Sequence, residues 1–438
     1  MSQYVVYKFG GASVKDADGI KNVANIIESN PPHKLMIVVS AMGKTTNALE
    51  EVVQKTMEDP HLGVELLRNI LGDTQEIISE LDLKPDNHTE KLEIVVGQVL
   101  DFIHQFKEKP SASKYDFIYD QIVSTGELIS SLILSAYLVQ KRNLDLHWLD
   151  AREIIRTNST HREGRVNWNE TSWLFQKTVL PAFDNNRFIL TQGFIASDDH
   201  RKSVTLGREG SDYTAAICSY CLDAEYMAIW KDVPGVLTAD PRLFENVSLI
   251  DRLSYQEAIE MTYYGAKVIH PKTIKPLQNK NITLKVKSFI EPQSPGTLIA
   301  DFNEISYPPV VVVEKNQRLL SISTRDLSFV AEHHLSRLFS LFDKLRIRVN
   351  LMRNTAISFT VCITDNPNRI NRLLEEIGSE FNIVNDRNLE LITIRHYQEP
   401  IVEEMKNGKI VLFEERIPKT VQLVLKEVPV MKRKPHTS

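Results

Sequence analysis

The sequence is poor in cysteine, and this limits the chemistry that it can carry. Its 438 residues include three cysteines, Cys218, Cys221 and Cys362. Cys218 and Cys221 have the spacing of a C-x-x-C pair, but no second pair completes a zinc site, and the pair lies in an apolar, helix-like stretch. We therefore expect buried free thiols and, by default, a location in the cytoplasm.

Charge of one sign and long apolar runs are scarce as well. The formal net charge is −5, with 25% charged residues, so the overall charge does not predict binding to nucleic acid. The longest apolar run, around 132–139, is shorter than a membrane-spanning helix and contains Ser135. The N-terminus enters a strand-like run almost at once, unlike a signal peptide. These features predict a soluble protein of two or three domains with no membrane partner.

The two common nucleotide-binding motifs are also absent. The chain contains neither the G-x-x-x-x-G-K-[ST] of a P-loop nor a G-x-G-x-x-G unit. It has instead Lys8-Phe9-Gly10-Gly11, which ends an apolar run and precedes a helix-like segment at 18–27. Tandem glycines let backbone N–H groups approach an anion, and a helix start adds its dipole. The segment fits a phosphate site, but by itself it fits a tight turn beside a surface lysine equally well.

Strand-like and helix-like segments alternate through the first 300 residues. The strand-like runs occur at 4–9, 34–40, 118–123, 144–149, 188–191 and 228–230. This alternation predicts an α/β fold with a mainly parallel sheet sandwiched by helices. Functional side chains in such sheets gather at the carboxyl ends of the strands, where Lys8, Ser40, Gln192 and Lys231 fall.

The pattern changes near residue 300, where proline-containing stretches at 291–297 and 307–309 indicate a boundary. Shorter elements then follow in the ferredoxin-like order β-α-β-β-α-β, with one more short helix and two strands. We expect a catalytic domain over 1–300 and a second region over 310–428. The tail, 429–438, carries Lys432, Arg433 and Lys434. A solvated, disordered end is favoured there over a contact with nucleic acid.

Two loops in the first 300 residues carry charges suited to substrate binding. Glu127 follows Gly126 at the start of a helical pattern, so it is either a helix-start charge or the partner of a bound cation. The glycine-rich loop 207–212 also enters a helix. Capping explains Ser211 and Asp212 but not Arg208, whose guanidinium suits a carboxylate.

Six segments in order carry a resemblance to a known family. They are Lys8-Phe-Gly-Gly-Ala-Ser-Val14, Gly126-Glu127-Leu128, Gly207-Arg-Glu-Gly-Ser-Asp212, Asp232-Val-Pro-Gly235, Ala239-Asp-Pro-Arg242 and Gly265-Ala-Lys-Val-Ile-His-Pro271. In this order and spacing they resemble the amino acid kinase superfamily and, within it, the aspartate kinases. The resemblance covers residues 4–300, and the region beyond 310 is similar, less strongly, to the paired ACT regulatory modules of aspartate kinases.

The resemblance implies transfer of the ATP γ-phosphoryl group to the side-chain carboxylate of L-aspartate, the first step of lysine, threonine and methionine biosynthesis. It implies Mg²⁺ carried by the ATP phosphates and no metal held by the protein. Because the carboxylate is already ionised, catalysis needs positioning and charge rather than a general base. The implied catalytic residues are Lys8 and Asp212, with Asp212 orienting Lys8. The residues implied for ATP are Lys8, Gly10, Gly11, Lys231, Asp232, Leu237, Arg242 and Lys267, and those for aspartate are Thr46, Glu127, Arg208 and Ser211.

Some positions depart from the family pattern, and other functions stay open. Ala12, Lys231 and Leu237 stand where Thr, Thr and Tyr are common, which predicts an altered nucleotide pocket. The alternatives are another kinase of the superfamily, for acetylglutamate or glutamate, and an amino-acid sensor without catalysis. The resemblance also implies a homodimer joined beyond residue 310.

Regulation by lysine is predicted to be weak or absent. Lysine-inhibited relatives use a glycine-containing loop and a Ser/Thr–Glu pair to hold the effector. The corresponding loop here, 324–330, has no glycine, and the pair is Thr355-Ala356. The carboxylate that would meet the effector's ammonium is therefore missing.

Overall fold

The computed structural model describes residues 3–29, 31–266, 269–303, 305–326 and 328–428. The chain divides into two compact units. The first comprises residues 1–236, 249–259 and 268–305, and the second comprises 237–248, 260–267 and 306–438. The second unit therefore includes two segments from within the predicted 1–300 domain. Lys267 and the predicted basic tail, 429–438, lie outside the described residues.

The first unit is built on a mainly parallel sheet. Its strands are β1 Tyr4–Phe9, β2 Lys34–Val39, β3 Leu146–Trp148, β4 Phe188–Gln192, β5 Ile195–Ser197, β6 Ser203–Thr205, β7 Tyr226–Lys231, β8 Arg252–Ser254, β9 Thr283–Ser288 and β10 Thr297–Ala300. Eight of them form one sheet in the order β3-β4-β2-β1-β7-β9-β10-β8, and β5 and β6 form a separate hairpin. Adjacent strands of the sheet are parallel except β9 and β10. The predicted α/β architecture is confirmed.

Helices cover this sheet. They are α1 Ala17–Ser29, α2 Thr45–Glu58, α3 Pro60–Glu80, α4 Asn87–His104, α5 Tyr115–Val123, α6 Thr125–Arg142, α7 Ala151–Ile154, α8 Trp168–Leu174, α9 Leu180–Asn185, α10 Gly210–Cys221, α11 Tyr255–Tyr263 (which extends into the second unit) and α12 Pro271–Asn279.

The strand predicted at 118–123 is wrong, because these residues belong to α5. Ile118 and Ile122, four residues apart, pack with residues of α2, α3 and α4 in one apolar cluster. A short apolar run does not by itself distinguish a buried strand from a buried helix. The neighbouring helices therefore decide this segment's structure.

The stretch 112–142, which includes α5 and α6, is long and apolar enough to cross a membrane by length and composition. This corrects the expectation that no apolar run reaches that length. Almost all of its most apolar window is buried inside the fold. Leu132, Leu134 and Leu138 of α6 pack in the core that also includes Tyr7 and Phe9 of β1. Burial against the chain's own sheet therefore accounts for the composition.

The second unit is an antiparallel sheet with helices. Its elements are β11 Val310–Thr324, α13 Glu332–Lys344, β12 Val349–Asn354, β13 Phe359–Thr364, α14 Pro367–Ile377, β14 Phe381–Arg395, α15 Glu399–Lys406, β15 Lys409–Ile417 and β16 Thr420–Glu427. The strand order is β12-β13-β11-β14-β16-β15. The chain order from β11 to β14 is the predicted β-α-β-β-α-β. β11 and β14 are each 15 residues long, because they pair with each other almost end to end while β14 also pairs with β16.

Candidate active site

Lys8 and Asp212 form a buried ion pair where the central parallel strands end. Lys8 lies near the end of β1, and its Nζ is 2.6 Å from Oδ1 of Asp212 in the first turn of α10. Only 8% of Lys8 and 4% of Asp212 are exposed. Burial alone would raise the pKa of the Asp212 carboxyl, but the Lys8 and Lys231 ammonium groups outweigh it and hold that pKa below its usual range. Asp212 is therefore an ionised partner of lysine and a poor proton acceptor.

Gly10 brings bare backbone to this ion pair, and Gly11 packs against the loop that follows β2. A Cβ on Gly10 would lie 3.6 Å from Lys8 Nζ, so the ammonium lies beside the Gly10 backbone. A Cβ on Gly11 would come within 2.7 Å of the Ala41 carbonyl oxygen. The backbone N–H of Gly43 also donates to the Gly11 carbonyl at 3.0 Å. The loop after β2 thus packs directly on Gly11 and leaves no room for a side chain there.

Glu127 is a buried carboxyl with unused bonding capacity. It lies in the first turn of α6 and is 3% exposed. Burial raises the pKa of Glu127 to about 8, against the opposing influence of the backbone at Ala41 and Glu127 and of the Lys8 charge. Its Oε2 has no hydrogen-bond partner among the described residues. A buried carboxyl in this state is suited to receive a cation, because an ammonium group would supply the missing partner and favour ionisation.

The start of α10 lies close to the end of β4. A Cβ on Gly193, which follows β4, would be 2.5 Å from the Cβ of Ser211, so the helix start can approach only a glycine. Ser211 is half-buried in the first turn of α10, and Arg208 is exposed in the loop before it. Thr46 is half-buried in the first turn of α2, which follows the loop packed on Gly11.

Lys231 brings a second ammonium group to Asp212. It is the last residue of β7, and its Nζ is 4.0 Å from Asp212 Oδ2, on the other oxygen from the one that meets Lys8. One carboxylate therefore faces two lysines, which leaves a net positive charge and favours an anion. Asp232, the next residue, is exposed.

The remaining residues predicted for ATP lie in the second unit or outside the described residues. Leu237 and Arg242 belong to the second unit. Leu237 is half-buried, and Arg242 is exposed with its Nη2 2.6 Å from Oδ2 of Asp240. Lys267 lies outside the described residues.

Asp120 was missed by the sequence analysis, which assigned its segment to a strand. It is fully buried on α5, accepts the Thr205 hydroxyl at 2.7 Å and lies 2.8 Å from Nδ1 of His161. Burial raises the pKa of Asp120 against these hydrogen bonds. Thr205 precedes Arg208 by three residues, so Asp120 fixes the base of that loop. The available signal was an Asp within the apolar run 118–123, since a buried Asp needs partners.

Clusters of metal-ligating side chains and free thiols are the other groups that could carry chemistry. Among the described residues, no group of three or more His, Cys, Asp and Glu side chains is arranged to hold a metal ion. The three cysteines are free thiols, with Cys218 and Cys362 buried and Cys221 half-buried.

The sequence matches a known protein family and several characterised relatives. Residues 3–288 match the amino acid kinase family. The chain is 32% identical over 367 residues to lysine-sensitive aspartokinase 3 of Escherichia coli, covering 83% of this chain and 79% of that protein. It is 30% identical over 398 residues to the chloroplastic aspartokinase 2 of Arabidopsis thaliana, covering 89% and 71%.

Solved structures agree with these sequence matches. E. coli aspartokinase III in complex with aspartate and ADP, in its R-state, matches with a TM-score of 0.79 at 26% identity and 96% coverage of both chains. The same enzyme with lysine and aspartate, in its T-state, matches with a TM-score of 0.81 at 27% identity, covering 97% and 96%. The chain therefore belongs to the amino acid kinase family, and within it to the aspartokinases.

Proposed function

We propose that this chain transfers the γ-phosphoryl group of ATP to the side-chain carboxylate of L-aspartate, giving 4-phospho-L-aspartate and ADP. The observation that carries the proposal is the buried Lys8–Asp212 pair beside bare glycine backbone, together with the buried, incompletely bonded Glu127 carboxyl. The lysines supply positive charge for a phosphoryl group, and Glu127 supplies a carboxyl that the ammonium of an amino acid would draw into its ionised form.

For this transfer the protein must supply positive charge and must position the two substrates. A carboxylate oxygen of aspartate bonds to the γ-phosphorus as the bond from that phosphorus to the bridging oxygen of ADP breaks, and no proton must be removed. Lys8 and the N–H groups of Gly10 and Gly11 stabilise the negative charge on the moving group. Asp212 holds Lys8 in place, and Lys231 adds a second positive charge.

The substrates are assigned to neighbouring residues. Glu127 binds the α-ammonium of aspartate and Arg208 its α-carboxylate, with Ser211 and Thr46 completing that subsite. Lys231, Asp232, Leu237, Arg242 and Lys267 serve the nucleotide. Mg²⁺ bound to the ATP phosphates neutralises part of their charge. No protein ligand for it is assigned.

The direct test is ATP turnover with trapping of the acyl phosphate as a hydroxamate. We expect hydroxamate to form with L-aspartate and not with glutamate, N-acetylglutamate or carbamate. Preference for one of the last three would instead assign the chain to another activity of the family. Absence of turnover with all four, in a folded protein that binds aspartate, would favour the sensor.

We also propose a homodimer joined beyond residue 310, through modules of the ACT type. The edge strands of the second unit's sheet are β12 and β15, and they carry exposed apolar side chains at Met352, Ile410 and Val411. Such edges are normally covered in solution. Light scattering at micromolar concentration should give twice the chain mass, and a monomer would refute the dimer. The location in the cytoplasm and the place at the start of lysine, threonine and methionine biosynthesis stay predictions.

A further inference from the structure

Glu209, between Arg208 and Gly210, has a backbone conformation that does not suit its side chain. Its φ is +53° and its ψ is 30°, in the left-handed region, immediately before α10 begins. A residue with a Cβ is disfavoured there, whereas glycine adopts this conformation freely. Strain of this kind persists only where contacts with the surrounding structure hold the residue in place, and such residues cluster at functional sites.

The Glu209 side chain makes one specific hydrogen bond. Its Oε2 accepts the backbone N–H of His270 at 3.0 Å. His270 is the capping residue of α12, and its imidazole Nδ1 accepts the Lys272 N–H at 3.2 Å. Glu209 therefore ties the start of α10 to the start of α12, two helices that pack against each other within the first unit.

The two tied segments are adjacent in the sequence to residues that the proposed function assigns to different substrates. Glu209 follows Arg208, assigned to aspartate, and precedes Ser211 and Asp212. His270 follows Lys267, assigned to ATP, by three residues in the sequence. A bond between these segments lets the position of one depend on whether the other is occupied.

We propose that Glu209 is a positioning residue that couples the binding of aspartate to the binding of ATP. The inference rests on the proposed function. Its hydrogen bond to His270 holds the Arg208 loop and the start of α12 in mutual register, so a ligand that orders one segment also orders the other. Because coupling between two sites is reciprocal, each substrate raises the affinity for the other by the same factor.

The experiment measures that factor by titration calorimetry in the full chain. Aspartate is titrated with and without a non-hydrolysable ATP analogue and Mg²⁺, and the order is then reversed. The variants are Glu209→Gln, which retains an oxygen acceptor, Glu209→Ala, which retains a Cβ, and Glu209→Gly, which also relieves the φ. Thermal unfolding of Glu209→Gly should match or exceed that of the wild type, so misfolding would not explain a loss.

A matched control lies at the opposite end of the same two helices. Asp223, after α10, also has a positive φ of 48° and pairs with Lys280, which ends α12. Asp223→Gly relieves the backbone strain and removes the carboxylate that ties α10 to α12, but it does so away from the loops assigned to the substrates. It should leave the coupling factor within about twofold of the wild type.

We expect a wild-type coupling factor of roughly 5–150, the usual range for linked sites. Glu209→Gln should stay within about twofold of it, and Glu209→Ala and Glu209→Gly should both approach a factor of one. Unchanged coupling in Glu209→Gly, equal loss in Asp223→Gly, or no coupling in the wild type would each overturn the inference. Failure of the proposed function is seen separately, as a wild type that does not phosphorylate aspartate.

Discussion

Each unit of this chain buries a basic side chain against a carboxylate. The two ion pairs differ in the kind of sheet on which they lie. Lys8 meets Asp212 at 2.6 Å where parallel strands end, beside Glu127, which keeps an oxygen without a partner among the described residues. Arg318 of β11 is 0% exposed and lies 2.8 Å from Asp365, which follows β13 in an antiparallel sheet.

Strand direction explains why the first of these pairs lies at the candidate site and the second does not. Parallel strands bring their carboxyl ends, and the loops that follow, to one edge of the sheet. Strands in an antiparallel sheet alternate in direction, so their carboxyl ends are shared between two edges. The first pair therefore lies among the loops that we assign to the substrates, while the second holds a strand end to its neighbour. The comparison predicts that equivalent changes damage activity in one unit and stability in the other.

The largest effect is expected from Asp365→Ala. It leaves the buried Arg318 guanidinium without its carboxylate, which should lower the free energy of unfolding of the second unit by about 3–5 kcal/mol. Denaturant unfolding followed by an optical probe measures this. The kcat of enzyme that is still folded should stay within about twofold of the wild type. A large fall in kcat with unchanged stability would contradict the structural role.

The corresponding change in the first unit is Lys8→Ala. Removal of one charge-stabilising donor should lower kcat by roughly 10²–10³, with a much smaller effect on ATP binding. Single-turnover kinetics with a separate nucleotide titration distinguishes the two. A near-normal kcat would show that Lys8 does not stabilise the transition state. The contrast between the two pairs would then fail.

Arg208→Ala sharpens the account of the aspartate subsite. Because Arg208 is exposed, the loss should be that of a charge-assisted hydrogen bond, about 1.5–3 kcal/mol in kcat/KM for aspartate. The KM for ATP should change little in the same assays. Equal losses for both substrates would indicate a distorted loop instead of a lost contact with the α-carboxylate.

Much of the first unit could be predicted from the sequence because its information is local. An apolar run ending in Lys8-Phe9-Gly10-Gly11 specifies both a strand and the group that it carries. The position of Glu127 at a helix start was readable, but its burial was not, since this depends on how the start of α6 packs into the core. Asp120 was missed because its partners, Thr205 and His161, lie about 85 and 41 residues away along the chain.

The second unit was harder to predict in its details. The order of its elements follows from periodicity, but the 15-residue lengths of β11 and β14 depend on their pairing with each other. The strand predicted over 118–123 failed for a similar reason, because packing between helices determines that segment. Contacts distant in sequence leave no periodic signal.

The smallest effect is expected from added lysine. In the second unit, the backbone N–H of Val330 donates to the Ala356 carbonyl at 2.9 Å, so the predicted effector loop and the Thr355-Ala356 pair are neighbours. The Thr355 hydroxyl is already bonded to Ser358. There is no carboxylate at position 356 to bond the ammonium group of lysine. The loss of that charge-assisted bond, about 1.5–3 kcal/mol, should weaken the binding of lysine by tenfold or more.

Initial rates should therefore change little with lysine, threonine or methionine, added singly or in pairs. Half-inhibition by submillimolar lysine would contradict this and would give the second unit a regulatory site. The matched comparison is the lysine-sensitive E. coli relative assayed under the same conditions.

The most direct test of the central claim, that the first unit holds buried ionisable groups placed to receive the substrates, is proton release on aspartate binding. With the pKa of Glu127 at about 8, the empty site is mostly protonated near neutral pH, and the α-ammonium of aspartate should draw the carboxyl into its ionised form. Calorimetry in buffers of different ionisation enthalpy should show release of close to one proton near pH 7, falling towards zero as the pH rises well above 8. Glu127→Gln should bind aspartate more weakly and release none. A wild type that binds aspartate near neutral pH without releasing a proton would contradict the account.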